Sequence, residues 1–372
     1  MYGQVSISRS FPLNLTSEFE ALVANSPISS SAATRGIQLQ LIAPLRRPLP
    51  VAVVEAKGVV FTKRWVVELL LDLSGYHSNK NLVDVLAVEP AAGNGAFLGP
   101  MVERLVDSCR NLGRWLSECQ NSLIAYELDE KSATRARAFV HNILMNRKVR
   151  RPLAKQLAEA WVLNRDYLFD AGARQADFII GNPPYVRLED IPEDTASVYR
   201  NAYPTMRGRA DLYVAFFEAA LRQLKNGGVC TFICADRWMR NQYGAELRQL
   251  ITSGYSVEVL LSMHQANAFD DEVDAYPAIT VIRHKKQQST VVASADQKAE
   301  NIQPRLLATL LQTEDRNILP HGIRRAVVKT WFKGADPWPC HSPEQLALLR
   351  RLEDQFPLLE VNAKVGDRKS TR

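Results

Sequence analysis

The chain has 372 residues, 46% hydrophobic and 23% charged, with a formal net charge of +6 and a pI near 9.0. This balance excludes collagen, a coiled coil or a disordered chain, and the length allows one large α/β domain with part of a second. No apolar run approaches the ~20 residues of a membrane-spanning helix. The N-terminal stretch MYGQVSISRSFPLNL lacks the basic-then-apolar pattern of a signal peptide, so a cytoplasmic protein is expected. Five cysteines without a CxxC pair suggest buried, reduced thiols, with no disulfide framework and no metal. The basic clusters Arg46–Arg47, Arg147–Arg151, Arg207/Arg209 and Arg324–Arg325 suit phosphate contacts, but equally suit a solvated face or a helix end.

In chain order, residues 1–57 read as an N-terminal arm with a short helix at 17–24, a Ser/Ala-rich stretch and a Pro-punctuated segment at 44–50. From Gly58 the pattern is regular. It predicts a helix at 65–73, a strand at 82–88, a helix at 100–119, a strand at 123–125 and a helix at 131–146. A strand at 176–180 follows, then a helix at 212–224 closed by Asn226-Gly227-Gly228, a strand at 229–235, a helix at 244–252, and strands at 257–261 and 278–282. Such alternation implies an α/β fold with a doubly wound, mostly parallel sheet, whose ligands bind outside the carboxyl ends of the strands. After about residue 290 the alternation fades, leaving a helix at 342–354 and a polar ending. That ending suggests that the natural chain continues and that its last few residues are not native.

The chemistry-bearing residues fall at those strand ends. Glu89-Pro90-Ala91-Ala92-Gly93-Asn94-Gly95 follows the first strand, and two glycines at this spacing let backbone turn tightly against a ligand. Leu98 stands where a dinucleotide-binding GxGxxG loop would have its third glycine. Glu127 ends the next strand, where a carboxylate can accept both hydroxyls of a ribose or simply face solvent. Asp166-Tyr167 pairs an acid with an aromatic, able to bond an adenine amino group and stack on its ring, or to form a surface turn. Asn182-Pro183-Pro184-Tyr185 closes the apolar run ADFIIG. Two prolines stiffen the backbone there, and the Asn182 amide and Pro183 carbonyl form a rigid pair of acceptors beside a stacking ring. Two acceptors gripping the hydrogens of an exocyclic amine favour a pyramidal nitrogen and aim its lone pair, which is catalysis by positioning.

Together these residues resemble the gamma-class adenine-N6 DNA methyltransferases of restriction-modification systems over about residues 58–283. Phe61-Thr62-Lys63-Arg64-Trp65-Val66-Val67 is similar to the family's (F/Y)TPxxVV motif, with Lys63 in place of the usual proline. Glu89 to Leu98 resembles (D/E)PACGSGAFL, and Asn182 to Tyr185 matches the catalytic tetrapeptide. The resemblance implies a class I S-adenosylmethionine-dependent methyltransferase fold, with Thr62, Glu89, Ala91, Gly93, Gly95, Glu127, Asp166, Tyr167 and Phe216 around the cofactor S-adenosyl-L-methionine. It further implies that Asn182, Pro183, Pro184 and Tyr185 are catalytic and that Tyr185 and Phe269 sandwich a flipped adenine. Residues 58–290 would be the catalytic domain, and 291–372 a connector and the start of a truncated target-recognition region. Double-stranded DNA is the implied partner, with a restriction endonuclease or specificity subunit alongside. Two other readings stay open: the same tetrapeptide acting on protein glutamine or an RNA base, and a non-catalytic specificity subunit.

Overall fold

The computed structural model describes residues 61–270, 276–313, 319–329, 333–338, 348, 351–352 and 354–357. The N-terminal arm, its 17–24 helix, Arg46–Arg47, Cys340 and most of the 342–354 helix lie outside the described residues. Helix α1 (Arg64–Ser74) forms where apolar residues crowd more than one face, and Val66, Val67, Leu69, Leu70, Leu71 and Leu73 are all fully buried. Strand β1 (Ala87–Glu89) leads into α2 (Leu98–Asn111), and β2 (Leu123–Glu127) into α3 (Glu130–Asn146). Next come α4 (Arg151–Trp161), β3 (Val162–Asn164), a single turn α5 (Tyr167–Asp170) and β4 (Ala176–Gly181). Helices α6 (Glu193–Ala202) and α7 (Tyr213–Gln223) precede β5 (Leu224–Ala235), α8 (Ala245–Gly254), β6 (Ser256–Gln265) and β7 (Pro277–Arg283). Strand β8 (Thr290–Asp296), α9 (Pro304–Gln312) and β9 (Ile323–Val328) complete the described elements.

The nine strands form one sheet in the order β3-β2-β1-β4-β5-β7-β6-β8-β9. The first five run parallel, β7 is inserted antiparallel between β5 and β6, β8 runs parallel to β6, and β9 closes the edge antiparallel. The expected doubly wound, mostly parallel sheet is therefore present. Side chains alternate between its two faces. Ala87, Leu123, Ala125, Val229 and Ile233 pack with α1 to α4 and α9, whereas Val88, Ile124, Tyr126, Cys230 and Phe232 pack with α5 to α8. The four described cysteines, Cys109, Cys119, Cys230 and Cys234, are free and buried. No helix among the described residues is long and apolar enough to cross a membrane.

Several elements differ from the sequence expectation. Of the 82–88 run only Ala87 and Val88 pair as strand, with Glu89 added at the end, because the Asn81 side chain accepts from the Val83 and Asp84 amides and bends the approach into a turn. The helix expected at 100–119 stops at Asn111, where Gly113 takes φ +63° and a 3-10 turn over Leu116–Asn121 follows. Helix α4 and strand β3 were not foreseen. The Arg147–Arg151 cluster marks the corner between α3 and α4, with Arg147 paired to Asp107. The Asn226-Gly227-Gly228 stretch lies inside β5 and does not close α7, which ends at Gln223. The alternation also continues past residue 290 through β8, α9 and β9, and Arg325 of β9 donates to the Thr313 carbonyl beyond α9.

Helix α7 is buried throughout except at Arg222, so its one carboxylate must be matched inside the protein. Glu218 accepts from the Thr205 amide at 2.9 Å and the Thr205 hydroxyl, and pairs with Arg222. This pins the loop between α6 and α7 against α7. Replacing Glu218 with alanine strands the Thr205 donors, and an expected loss of about 2–4 kcal/mol would appear as a lower urea midpoint at unchanged m-value. An unchanged midpoint would mean that water reaches Thr205 and the loop is not held by this carboxylate.

Candidate active site

The five parallel strands end at a common edge, and the residues singled out from sequence stand along it. Asp166 lies beyond β3, Glu127 ends β2, Glu89 ends β1, and Asn182 follows β4. The register places Glu127 beside Asn164 and Glu89 beside Ala125, so the acidic side chains are set by backbone pairing before any side-chain contact.

Glu127 ties the first two loops together. Its Oε2 accepts from the Gly93 amide at 2.8 Å, and its Oε1 from the Asp129 amide at 2.9 Å. Asn164 secures the same turn, donating from Nδ2 to the carbonyls of Glu127 and Leu128 at 3.0 and 2.9 Å. Burial pushes the Glu127 carboxyl above its ordinary range, with the two amides pulling the other way. Glu89 is 1% exposed, and its Oε2 has no hydrogen-bond partner among the described residues. Burial, and then the neighbouring Glu127, push its carboxyl well above the usual range. Ala91 is partly buried against the apolar core on the α5 to α8 face of the sheet. In the loop, Gly95 adopts φ +86°, and a Cβ there would lie 2.9 Å from the Phe139 ring of α3. Phe139 is 42% exposed and covers the outer side of the glycine loop.

Asn182 and Thr62 meet across 120 residues of sequence, Asn182 Nδ2 donating to Thr62 Oγ1 at 3.3 Å. In this orientation the amide oxygen Oδ1 is the buried acceptor end. Thr62 is itself paired with Phe269 in an isolated antiparallel bridge, flanked by Lys63 N–H to Ala268 carbonyl and Asp270 N–H to Phe61 carbonyl bonds, each 3.0 Å. Trp65 adds a bond from Nε1 to the Asn267 carbonyl. Segments at 61–65 and 267–270 are thus stitched over Asn182. Pro183 is buried, and Pro184 and Tyr185 are partly so. The Tyr185 ring meets Tyr213 and Phe269 edge to face, with centroids 6.3 and 6.5 Å apart, and its buried hydroxyl has no partner among the described residues. The expected Tyr185–Phe269 pair is adjacent but perpendicular at 83°, not parallel.

Asp166 caps α5, accepting from the Leu168 amide at 2.9 Å, while the Tyr199 hydroxyl donates to its other oxygen. Tyr167 is 1% exposed, its ring against Tyr126 and Phe216 and its hydroxyl donating to Gln223 at 3.0 Å. Phe216 is buried on α7 behind it. Sequence reasoning missed Asn164, Phe139 and Tyr199. Asn164 had a local signal, two residues before Asp166, whereas Phe139 and Tyr199 reach the site only through helix packing.

Residues 97–269 match the family model for the Eco57I restriction-modification methylase. The Type II methyltransferase M.PaeR7I of Pseudomonas aeruginosa is 38% identical over 318 residues, covering 84% of this chain and 54% of that protein. M.XhoI of Xanthomonas vasicola, also a Type II methyltransferase, is 35% identical over 317 residues, covering 84% of this chain and 58% of that protein. The chain thus spans about half the length of the curated relatives it matches. The solved type IIG restriction endonuclease BpuSI superposes with a TM-score of 0.51 at 15% identity, over 73% of this chain and 31% of that one, a likeness of fold alone.

Two outcomes follow from the loop geometry. Gly95→Ala meets both the positive φ and the Phe139 ring, for an expected loss of about 1–3 kcal/mol in stability. Adding Phe139→Ala should recover only the steric part, as read by thermal melting; full recovery would mean that backbone strain is negligible. For Glu89, a carboxyl raised in the folded state stabilises below the ordinary range and loses that contribution as pH rises through the raised value. The melting temperature of Glu89→Gln should therefore gain on the parent as pH rises above the ordinary glutamate range. A difference independent of pH would mean that the carboxylate is hydrated.

Proposed function

Because residues 97–269 belong to the Eco57I restriction-modification methylase family, we propose that this chain transfers a methyl group from S-adenosylmethionine to the exocyclic N6 amine of an adenine flipped out of DNA. The observation that carries the reading is the convergence of Asn182, Thr62, Tyr185 and Phe269 at the end of β4, beside the carboxylates ending β1 and β2. Double-stranded DNA is the substrate in this reading, the compartment is the cytoplasm, and a restriction endonuclease or specificity subunit is the partner. Residues 58–290 are assigned to catalysis, and those beyond to a connector and the start of a target-recognition region.

The residues present fit the cofactor. Glu127 keeps carboxylate lone pairs beyond the two amides it already holds, enough to accept ribose hydroxyls. The buried Glu89 Oε2, without a partner among the described residues, offers an acceptor at the start of the glycine loop, at the methionine end to which Thr62 is also assigned. Asp166 offers its carboxylate to an adenine amino group, with Tyr167 and Phe216 supporting the wall behind it. S-adenosylmethionine, when bound, supplies an electrophilic sulfonium methyl.

On the substrate side the chain works by positioning. Asn182 Oδ1 and the Pro183 carbonyl accept the two amine hydrogens, which directs the nitrogen lone pair toward the methyl group. Thr62 accepts from the Asn182 amide nitrogen, so the acceptor end of the amide is on the side opposite to Thr62. Tyr185 supplies the stacking surface and Phe269 the opposite one. Admitting a flat base between them turns one ring out of the edge-to-face contact. Stacking of about 1–3 kcal/mol per base offsets a large part of the flipping cost.

The test is transfer of labelled methyl from S-adenosylmethionine to unmethylated duplex DNA, followed by digestion to nucleosides. Label should appear in N6-methyldeoxyadenosine and fall by about 10²–10³ in Asn182→Ala. Thr62→Val should fall by about tenfold, since it loses the anchor of the amide. Label in a cytosine nucleoside, or none in DNA despite cofactor binding, would sink the adenine assignment.

A further inference from the structure

Asp166 is held by two donors from different elements. Oδ1 takes the Leu168 amide of α5, and Oδ2 takes the hydroxyl of Tyr199 on α6. The Tyr199 ring is 5% exposed and stacks on Phe169 with centroids 5.3 Å apart at 30°, while Tyr203, one turn on, donates its hydroxyl to the Leu168 carbonyl. Helix α6 is therefore clamped onto the turn that presents Asp166, and it begins only eight residues after Tyr185 of the tetrapeptide. A carboxylate oxygen has two acceptor positions, so one donor on each oxygen stops rotation about the Cβ–Cγ bond and leaves acceptor capacity on both. A single donor would leave the group free to turn.

We infer that Tyr199 is a positioning residue for cofactor recognition, its hydroxyl holding the Asp166 carboxylate to receive the exocyclic amine of the cofactor's adenine. The inference rests on the reading of Asp166 given above. It also accounts for the residue type, because phenylalanine would preserve the Phe169 stack and lose only the donor. The groups facing Asp166 are Asp170 on its own turn, Tyr199 from α6 and Tyr203 just beyond the end of α6. Burial and Asp170 disfavour the carboxylate charge, whereas the Tyr199 hydroxyl and the Leu168 amide favour it. The ionised group is the acceptor, so affinity is held above its pKa and lost as pH falls through it. Without the Tyr199 donor that loss begins at higher pH.

The experiment is calorimetric binding of S-adenosylmethionine and S-adenosylhomocysteine to the full chain across pH, for the parent, Tyr199→Phe, Asp166→Ala and the double variant, each checked by thermal melting. Tyr199→Phe should bind about tenfold more weakly, as expected for a hydrogen bond to a charged group. Its acid limb should move toward neutral pH, and it should add no further loss to Asp166→Ala. Unchanged or tighter binding by Tyr199→Phe, with Asp166→Ala weakened, would overturn the role of Tyr199 alone and mark the hydroxyl as bystander or competitor. Parent-like affinity in Asp166→Ala, or no binding by the parent, would overturn the reading beneath it as well.

Discussion

The parallel hydrogen-bond ladder through β3, β2, β1, β4 and β5 is the constraint on which the rest of the site depends. Parallel strands share a direction, so their carboxyl ends reach the same edge, and the loops leaving them meet there whatever their sequence separation. Asp166, Glu127, Glu89 and Asn182 are delivered by four different strands, each with its depth set by register. The antiparallel β7 pairs with β5 up to Ala235 and Pro277, and so keeps the segment carrying Phe269 at that same edge. The helices on both faces bury the ladder in apolar contact, which is the main source of its stability.

On that frame, the electrostatics of the edge run against stability. Glu89 is buried close enough to the partly buried Glu127 for that neighbour's charge to disfavour its ionisation, and its Oε2 has no hydrogen-bond partner among the described residues. A fold selected for stability alone would place apolar groups there. Backbone amides of Gly93 and Asp129 offset part of the strain at Glu127, and the same two bonds set the glycine loop and the start of α3. One carboxylate thus shapes the loop and keeps acceptor capacity for a polar ligand.

The other half of the site is assembled by long-range contact. Thr62, Asn182 and Phe269 lie in three segments far apart in the chain, joined by one side-chain bond and one isolated bridge. Lys63 shows why the departure from the usual proline is tolerated: its amide donates to the Ala268 carbonyl, a bond that proline could not make. The substituted residue thereby adds a tie between the two segments that cover Asn182.

Local pattern and backbone chemistry determined much of this protein from sequence alone. Alternating apolar runs specified a parallel sheet, the Asn-Pro-Pro-Tyr run could be neither helix nor ladder, and the glycine pair required a tight turn. Asn182, Glu127 and Glu89 were legible because each follows directly from a strand end. Strand β3 and helix α4 were not, since a three-residue strand carries too short a period to read and the arginines before it masked the helix start. Strands β8 and β9 were equally hidden, because β8 is placed by pairing with β6 and β9 by pairing with β8, not by their own pattern. Only the tertiary structure decided that Tyr185 and Phe269 meet edge to face, that Phe139 covers Gly95, and that Tyr199 holds Asp166. Those contacts depend on how helices rest on the sheet, a property of the packed core and not of any local stretch of residues.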